Sequence, residues 1–310
     1  MNILRWFTRT PRKQEQTIAP QPLTSEVFTV DKRVYLSDAA YALPKDWKED
    51  QRLDMQHFML RKYLRGNFLA PIKNPRTILD VACGTGRWGA EMARQFPNAN
   101  VFGVDIRPPE ANNTAILGPE GIKPENYTVL QGDITKGVLN QWQNLFEFTH
   151  MRLMVAGLPE QQWDGAVRSL VEMTTPGGWV ELIDIVNYIA PKDSLALQKI
   201  YAWSSQALAS RKFDMMAGEH LAERMTRSGL INIHFYKIDI PIGYAVGEDG
   251  GLMAANLEAA MGSLKPLCVQ TGVVSDEEYS AALLQYHQDL ETARGESFPF
   301  YAAYGQKPLR

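Results

Sequence analysis

A glycine-rich turn that directly follows an apolar strand constrains this sequence more than any other feature. Residues 77–82 read TILDVA, a short apolar run typical of a buried β-strand, and residues 83–89 read CGTGRWG. Gly84, Gly86 and Gly89 form the pattern G-x-G-x-x-G at the start of a predicted helix. Glycine lets the backbone turn tightly and approach a ligand closely. The strand, turn and helix in succession therefore indicate a βαβ unit that binds an adenosine-containing ligand.

Further along the chain, apolar strands alternate with helical patterns. Apolar runs at 101–105, 127–131, 145–150 and 179–185 predict four more strands, and helices are predicted around 87–95 and 161–174. Helical patterns then predominate to residue 292, interrupted by a predicted strand at 231–240 and followed by a last one at 298–305. Strands that alternate with helices at this spacing predict an α/β fold with a mostly parallel sheet.

Composition and periodicity divide the chain into four predicted segments. Residues 1–30 carry three prolines among polar and basic residues, which predicts a mobile arm. Residues 31–74 contain a predicted amphipathic helix at 47–64, with Leu53, His57, Leu60 and Leu64 on one stripe and Gly66 as its stop, and are expected to form a helical lid segment. Residues 75–190 hold the ligand-binding core. Residues 191–310 combine helices with the last strands of the sheet, so their helices are well placed to cap a substrate pocket.

The charge balance and residue usage exclude several function classes. The chain has 32 basic and 35 acidic residues, a formal charge of −3, which argues against broad electrostatic capture of nucleic acid or an anionic membrane. No apolar run approaches the length that spans a bilayer, and the basic N-terminus lacks the apolar core of a secretory signal. Two cysteines cannot make a disulfide framework, and no pair of the five histidines has metal-ligand spacing. We expect a cytoplasmic protein without a metal site.

Three carboxylates follow or occupy consecutive predicted strands and narrow the choice of ligand. Asp80 lies in the first strand, Asp105 ends the second, 19 residues beyond Gly86, and Asp133 follows the third. A carboxylate at Asp105 can accept hydrogen bonds from both hydroxyls of a ribose. A nicotinamide dinucleotide and S-adenosylmethionine both fit this pattern. Acidic residues at three strands suit S-adenosylmethionine better, because it has no phosphate and carries positive charge on its sulfonium and amino groups.

The same motifs carry a family resemblance. The sequence resembles the class I S-adenosylmethionine-dependent methyltransferases through DVACGTG at 80–86, Val104-Asp105, Gly132-Asp133 and Pro176-Gly177-Gly178. Residues 41–57, with GTGRW and FTHMR, are similar to methyltransferases of secondary metabolism, of the fungal velvet-complex regulator type and the bacterial indole-alkaloid type. The resemblance implies a Rossmann-like, seven-stranded, mostly parallel sheet, to which the helical pattern adds an N-terminal helical segment and a helical insertion forming a cap. It also implies that the last strand, at 298–305, runs antiparallel.

The motifs and the resemblance together predict a donor site and two catalytic candidates. His150 is expected to end the fourth strand beside the transferable methyl group, as a base or a positioning residue, and His57 is the second candidate; a structural role is the alternative for both. Methyl transfer is an in-line displacement in which alignment and exclusion of water can suffice, so a general base is not required. The predicted donor-binding residues are Tyr41, Asp80, Gly84, Thr85, Gly86, Trp88, Asp105, Ile106, Gly132, Asp133, Ile134, His150 and Met151.

The expected function is methyl transfer from S-adenosylmethionine to a small-molecule acceptor. Methionines at 215, 216, 253 and 261 would, if they line a pocket, favour a large apolar or aromatic acceptor, such as an indole or a terpenoid. An NAD(P)-dependent oxidoreductase and a regulatory protein that acts through a protein partner are the alternatives. A homo-oligomer is compatible with the sequence, which does not specify whether oxygen, nitrogen or carbon is methylated.

Overall fold

The computed structural model describes residues 27–30, 33–36, 43–110, 113–136, 142–186, 194–209 and 212–310. Most of the predicted arm at 1–30 and the predicted donor-binding residue Tyr41 lie outside the described residues. Within the described ranges, no helix is both long enough and apolar enough to cross a membrane.

Seven strands form the sheet at the centre of the fold, and two more form a separate antiparallel pair. In chain order the strands are β1 (Val27–Val30), β2 (Arg33–Leu36), β3 (Thr77–Val81), β4 (Asn100–Asp105), β5 (Tyr127–Gln131), β6 (Phe146–Arg152), β7 (Thr174–Ile185), β8 (Ile231–Pro241) and β9 (Ser297–Gln306). The sheet has the order β5-β4-β3-β6-β7-β9-β8. β3 is parallel to both β4 and β6, β4 is parallel to β5, and β6 is parallel to β7. By contrast, β9 is antiparallel to both β7 and β8. The predicted fold class, including the antiparallel last strand, is confirmed.

Helices cover both faces of this sheet. They are α1 (Trp47–Leu64), α2 (Arg87–Gln95), α3 (Thr114–Leu117), α4 (Glu160–Met173), α5 (Leu195–Leu208), α6 (Leu221–Arg227), α7 (Glu248–Gln270) and α8 (Asp276–Thr292). One face carries α2 together with a helical layer built from α1, α5, α7 and α8. The other face is covered by α4 and α6. The predicted insertion between the last two strands consists of α7 and α8, which pack on α5 and α1.

The position of β3 in the sheet explains its apolar sequence. It lies between β4 and β6 with helices on both faces, so Ile78, Leu79 and Val81 are all buried. Such a strand reads as a continuous apolar run rather than as an alternating pattern. Its carboxyl end is therefore held rigidly at the sheet edge where the glycine turn begins.

The first helix has the predicted bounds, and its ends are capped locally. Asp46 accepts a hydrogen bond from the backbone N–H of Glu49, which satisfies a donor in the first turn. At the other end Arg65 adopts a left-handed conformation, with φ of 57°, and the Gly66 amide donates to the Arg61 carbonyl. The left-handed residue is thus Arg65, whereas the sequence suggested that Gly66 stops the helix.

Candidate active site

A cleft of about 370 Å³ lies at the carboxyl edge of β3, β4, β5 and β6. This volume is within the range of small-molecule sites. Its walls come from the segments that follow these four strands and from α1 and the start of α4. The lining residues of the strand ends and the following segments fall within 81–85, 104–107, 132–136 and 152–158. The other lining residues are Lys45, Leu53, Gln56 and Gln162.

The structure brings part of the predicted donor-binding set together in this cleft. The predicted residues that line it are Gly84, Thr85, Asp105, Ile106, Gly132, Asp133 and Ile134. Five other predicted residues do not line it, namely Asp80, Gly86, Trp88, His150 and Met151, and all of these but the glycine have buried side chains. Tyr41 lies outside the described residues.

Asp105 joins the glycine turn to the loop after β4. Its Oδ2 accepts from the Gly84 amide at 2.9 Å, and its Oδ1 accepts from the Arg107 amide at 2.9 Å. Gly84 and Gly86 have φ of 55° and 77°, a left-handed region that a side chain makes costly. A carboxylate offers about four lone-pair positions, so Asp105 retains acceptor capacity for a ligand in the cleft.

Asp133 also lines the cleft and shapes the turn after β5. Its Oδ1 accepts from the Thr135 amide at 2.9 Å and from the Thr135 hydroxyl at 2.7 Å. Its Oδ2 lies 3.4 Å from the Lys136 ammonium group. Oδ1 therefore belongs to the turn, whereas the one contact of Oδ2 among the described residues is this long one with a solvent-exposed lysine.

The His150 ring is fully buried and does not line the cleft. Its Nδ1 is 3.0 Å from Asp80 Oδ1, and its ring stacks on Trp88 with centroids 4.0 Å apart. The prediction that His150 ends its strand is wrong, because β6 continues to Arg152, whose partner in β7 is Ile183. Burial lowers the pKa of His150, which favours the neutral ring. In this position the ring contacts Asp80 of β3 and Trp88 of α2 and does not line the cleft.

His57, the second candidate, connects α1 to other elements. Its Nδ1 lies 3.0 Å from the Arg152 guanidinium, and its Nε2 lies 3.1 Å from Glu91 in α2. The ring is buried, and this burial lowers its pKa. His57 does not line the cleft either, although Arg152 does.

Sequence reasoning missed the contacts that seat α1 against the glycine turn. Asp54 Oδ1 accepts from the Thr85 hydroxyl at 2.8 Å, and Asp54 Oδ2 lies 2.6 Å from the Arg87 guanidinium. Leu53 and Gln56, on neighbouring positions of α1, line the cleft. The only sequence signal was the amphipathic stripe through Leu53, which indicates a buried face but not what that face covers.

The apolar lining also comes from residues that the sequence did not single out. Met253 and Met261 are buried in the core between the helices, so they do not support a large apolar or aromatic acceptor. The apolar side chains at the cleft include Leu53, Leu153 and Leu158. Of these, Leu153 directly follows β6. A residue at that position is expected to line the cleft once the end of the strand is placed at Arg152.

Glu181 is a fully buried acid in the middle of β7. Its Oε2 accepts from the amides of Leu69 and Ala70 at 2.7 and 2.8 Å, which ties the loop after α1 to the sheet. Its Oε1 has no hydrogen-bond partner within the described residues. Burial raises the pKa of Glu181 to about 7.

Because of this pKa, replacing Glu181 with glutamine is expected to stabilise the protein selectively at high pH. The folded state holds a proton on Glu181 up to about pH 7, whereas the unfolded chain releases it near 4.5. Stability from this group is therefore full below 4.5 and is lost as pH rises through 7. The neutral amide can still accept from both backbone donors. We expect Glu181→Gln to change the free energy of unfolding little at pH 5 and to raise it by roughly 1–3 kcal/mol at pH 8.

Denaturant titrations at the two pH values measure this difference. Glu120→Gln, at an exposed site, is the matched control and should show the same small effect at both pH values. An equal effect of Glu181→Gln at pH 5 and pH 8 would contradict the assignment of this titration to Glu181.

Comparison with known proteins gives the family. The methyltransferase domain family matches residues 52–234, more than half of the chain. N-methyltransferase sirN of Leptosphaeria maculans is 27% identical over 286 residues, 88% of this chain and 96% of that protein. Secondary metabolism regulator LAE1 of Cochliobolus heterostrophus is 29% identical over 218 residues, 65% of this chain and 66% of that protein.

Among solved structures, a SAM-dependent methyltransferase from Archaeoglobus fulgidus aligns with a TM-score of 0.48 at 12% identity, covering 84% of this chain and all of that one. This likeness is distant, and the assignment depends on the domain match and the sequence relatives. The match to the methyltransferase domain family, rather than this likeness, favours S-adenosylmethionine over the nicotinamide alternative at the glycine turn. The chain belongs to the methyltransferase domain family and is an S-adenosylmethionine-dependent methyltransferase.

Proposed function

We propose that this chain methylates a small secondary metabolite of aromatic, indole or terpenoid type by in-line displacement. The observation that carries the proposal is the Asp105 carboxylate, which lines the cleft and links the glycine turn to the loop after β4. When bound, S-adenosylmethionine supplies an electrophilic methyl group on a positively charged sulfur.

The charges around the cleft fit a zwitterionic donor without a phosphate. We assign the ribose hydroxyls to Asp105 and the adenine amino group to Asp133, since both carboxylates keep acceptor capacity. Ile106 and Ile134, which follow β4 and β5, offer apolar surface to the adenine ring. Arg152 lines the cleft and is the group we assign to the donor carboxylate.

Alignment and exclusion of water are the main contributions we assign to the chain. No histidine within the described ranges lines the cleft, and Leu53, Leu153 and Leu158 give it apolar walls. A neutral amine can attack the methyl group first and lose its proton afterwards, so this chemistry needs no base before transfer. His150 then serves as a support, since it connects Asp80 of β3 to Trp88 of α2 behind the glycine turn.

The relatives support a nitrogen acceptor within the proposed class. Both sirN and verN of Clonostachys rogersoniana are named N-methyltransferases, the latter 26% identical over 66% of this chain. A cleft without a histidine base suits an amine better than a phenol, whose oxygen becomes a strong nucleophile only after deprotonation.

Calorimetric titration with S-adenosylhomocysteine and, separately, with NADH tests the donor assignment. We expect micromolar binding of S-adenosylhomocysteine and no binding of NADH, followed by methyl addition in a mass-shift screen of indole, other aromatic and terpenoid amines. Binding of NADH alone would overturn the proposal.

LAE1, which is named a regulator of secondary metabolism, supports a second candidate function: a methyltransferase that acts through a protein partner. Donor binding without turnover of any small acceptor, together with a stable complex with another protein, would favour it over the small-molecule reaction.

A further inference from the structure

Leu153 holds an unusual backbone conformation at the edge of the cleft. It follows β6 directly, its φ is 59°, and it lines the cleft together with Met154. A residue with a branched side chain in the left-handed region costs about 1–2 kcal/mol. Such a conformation persists only where neighbouring groups enforce it, and it is found preferentially at functional sites.

The enforcing group is the buried side chain of Asp184 in β7. Asp184 Oδ2 accepts from the Met154 amide at 2.7 Å, and its Oδ1 accepts from the Val155 amide at 3.3 Å. The same Oδ1 accepts from the Ile185 amide at 2.8 Å, and the Leu153 amide donates to the Ile183 carbonyl at 2.8 Å. Three successive amides after β6 are thus held by the end of β7.

Asp184 acts through this turn rather than by contact with a ligand. It is 1% exposed and does not line the cleft, and both of its oxygens accept from backbone amides. If the carboxylate were lost, the amides of Met154 and Val155 would lose their buried acceptor. Leu153 could then relax to a negative φ, which would rotate the chain that forms this wall of the cleft.

We propose that Asp184 is a positioning residue for the donor cleft: its buried carboxylate holds Leu153 in the left-handed conformation and so fixes the cleft wall after β6. The role of Asp184 in donor binding rests on the proposed function. Its hydrogen bonds to the turn after β6 do not depend on that function.

A double-mutant cycle between Asp184→Asn and Leu153→Gly tests the proposal. Asparagine keeps the size of the side chain but turns an N–H₂ donor toward amides that need an acceptor. We expect Asp184→Asn to weaken S-adenosylhomocysteine binding at least fivefold and to speed hydrogen exchange at Met154 and Val155 at least tenfold. In the Leu153→Gly background, glycine adopts the left-handed conformation without cost, so Asp184→Asn should weaken binding less than twofold.

Glu181→Gln is the matched control, because Glu181 is another buried acid of β7 that holds a different loop. At pH 5, where Glu181→Gln changes the free energy of unfolding little, it should leave the exchange rates at Met154 and Val155 unchanged. An equal loss of binding from Asp184→Asn in both backgrounds, or unchanged exchange at the two amides, would overturn the proposal. If wild-type protein does not bind S-adenosylhomocysteine, the proposed function fails, and the exchange rates still test the hold on the turn.

A second pair of variants covers the case in which Asp184→Asn does not fold. Leu153→Gly and Leu153→Ala both remove the isobutyl group, but only glycine adopts a φ of 59° without steric cost. Leu153→Gly is expected to melt at the higher temperature. The opposite order, which is usual elsewhere in proteins, would show that the left-handed conformation is not maintained.

Discussion

Replacing Asp105 with alanine is expected to weaken binding of S-adenosylhomocysteine about 30- to 1000-fold. The side chain is assigned to both ribose hydroxyls, and hydrogen bonds to a charged partner contribute about 1.5–3 kcal/mol each. Because water replaces part of the lost interaction, we expect a loss of about 2–4 kcal/mol, less than the sum of the two bonds, which corresponds to that range of dissociation constants. Alanine also removes the acceptor for the amides of Gly84 and Arg107, so the two loops beside the donor lose their shared anchor. Calorimetric titration measures the change directly.

Two further variants separate the ribose contacts from a general disturbance of the fold. Asp105→Asn keeps the size and one acceptor oxygen, and it should weaken binding about tenfold, between wild type and alanine. Asp239→Ala, at an exposed position of the edge strand β8, should leave the dissociation constant unchanged. An unaltered dissociation constant for Asp105→Ala would refute the ribose-binding role.

The elements that sequence reasoning identified are those whose signals are local. The strand TILDV, the turn with Gly84 and Gly86 and the start of α2 lie within about twenty consecutive residues, so their order alone indicates the motif. Asp105 was found because the carboxyl ends of parallel strands meet at one edge. By contrast, the antiparallel course of β9 came from the family resemblance, since no local pattern distinguishes its direction.

The interpretations that failed depend on contacts between distant segments. His150 looks like a strand end in sequence, but pairing of Arg152 with Ile183 extends β6 past it and leaves the histidine buried. Met253 and Met261 belong to the core between the helices, which periodicity cannot distinguish from a pocket wall. The hydrogen bond from the Met154 amide to Asp184 joins residues thirty positions apart, and no pattern in a single sequence indicates it.

Replacing Gly89 with alanine is expected to lower the free energy of unfolding by about 2–3 kcal/mol. Gly89 is the third glycine of the motif and lies in α2, where an added Cβ would sit 2.5 Å from Cε2 and 2.6 Å from the hydroxyl oxygen of Tyr127. Tyr127 is 1% exposed and cannot swing into solvent, so α2 must move away from the sheet. Gly165→Ala, in α4 with no atom closer than 3.9 Å, is the matched control and should stabilise by about 0.5–1 kcal/mol.

A double-mutant cycle with Tyr127→Leu identifies the cause of that loss. Removing the ring leaves a cavity and costs about 2–3 kcal/mol by itself, but it also frees the space that the new Cβ needs. If the clash with Tyr127 is the cause, the double variant should be less destabilised than the sum of the single variants by about 1 kcal/mol or more. Strictly additive losses would instead assign the effect to the backbone of α2. Because α2 carries the glycine turn at its N-terminus, the same clash should also weaken S-adenosylhomocysteine binding, and Tyr127→Leu should partly restore it.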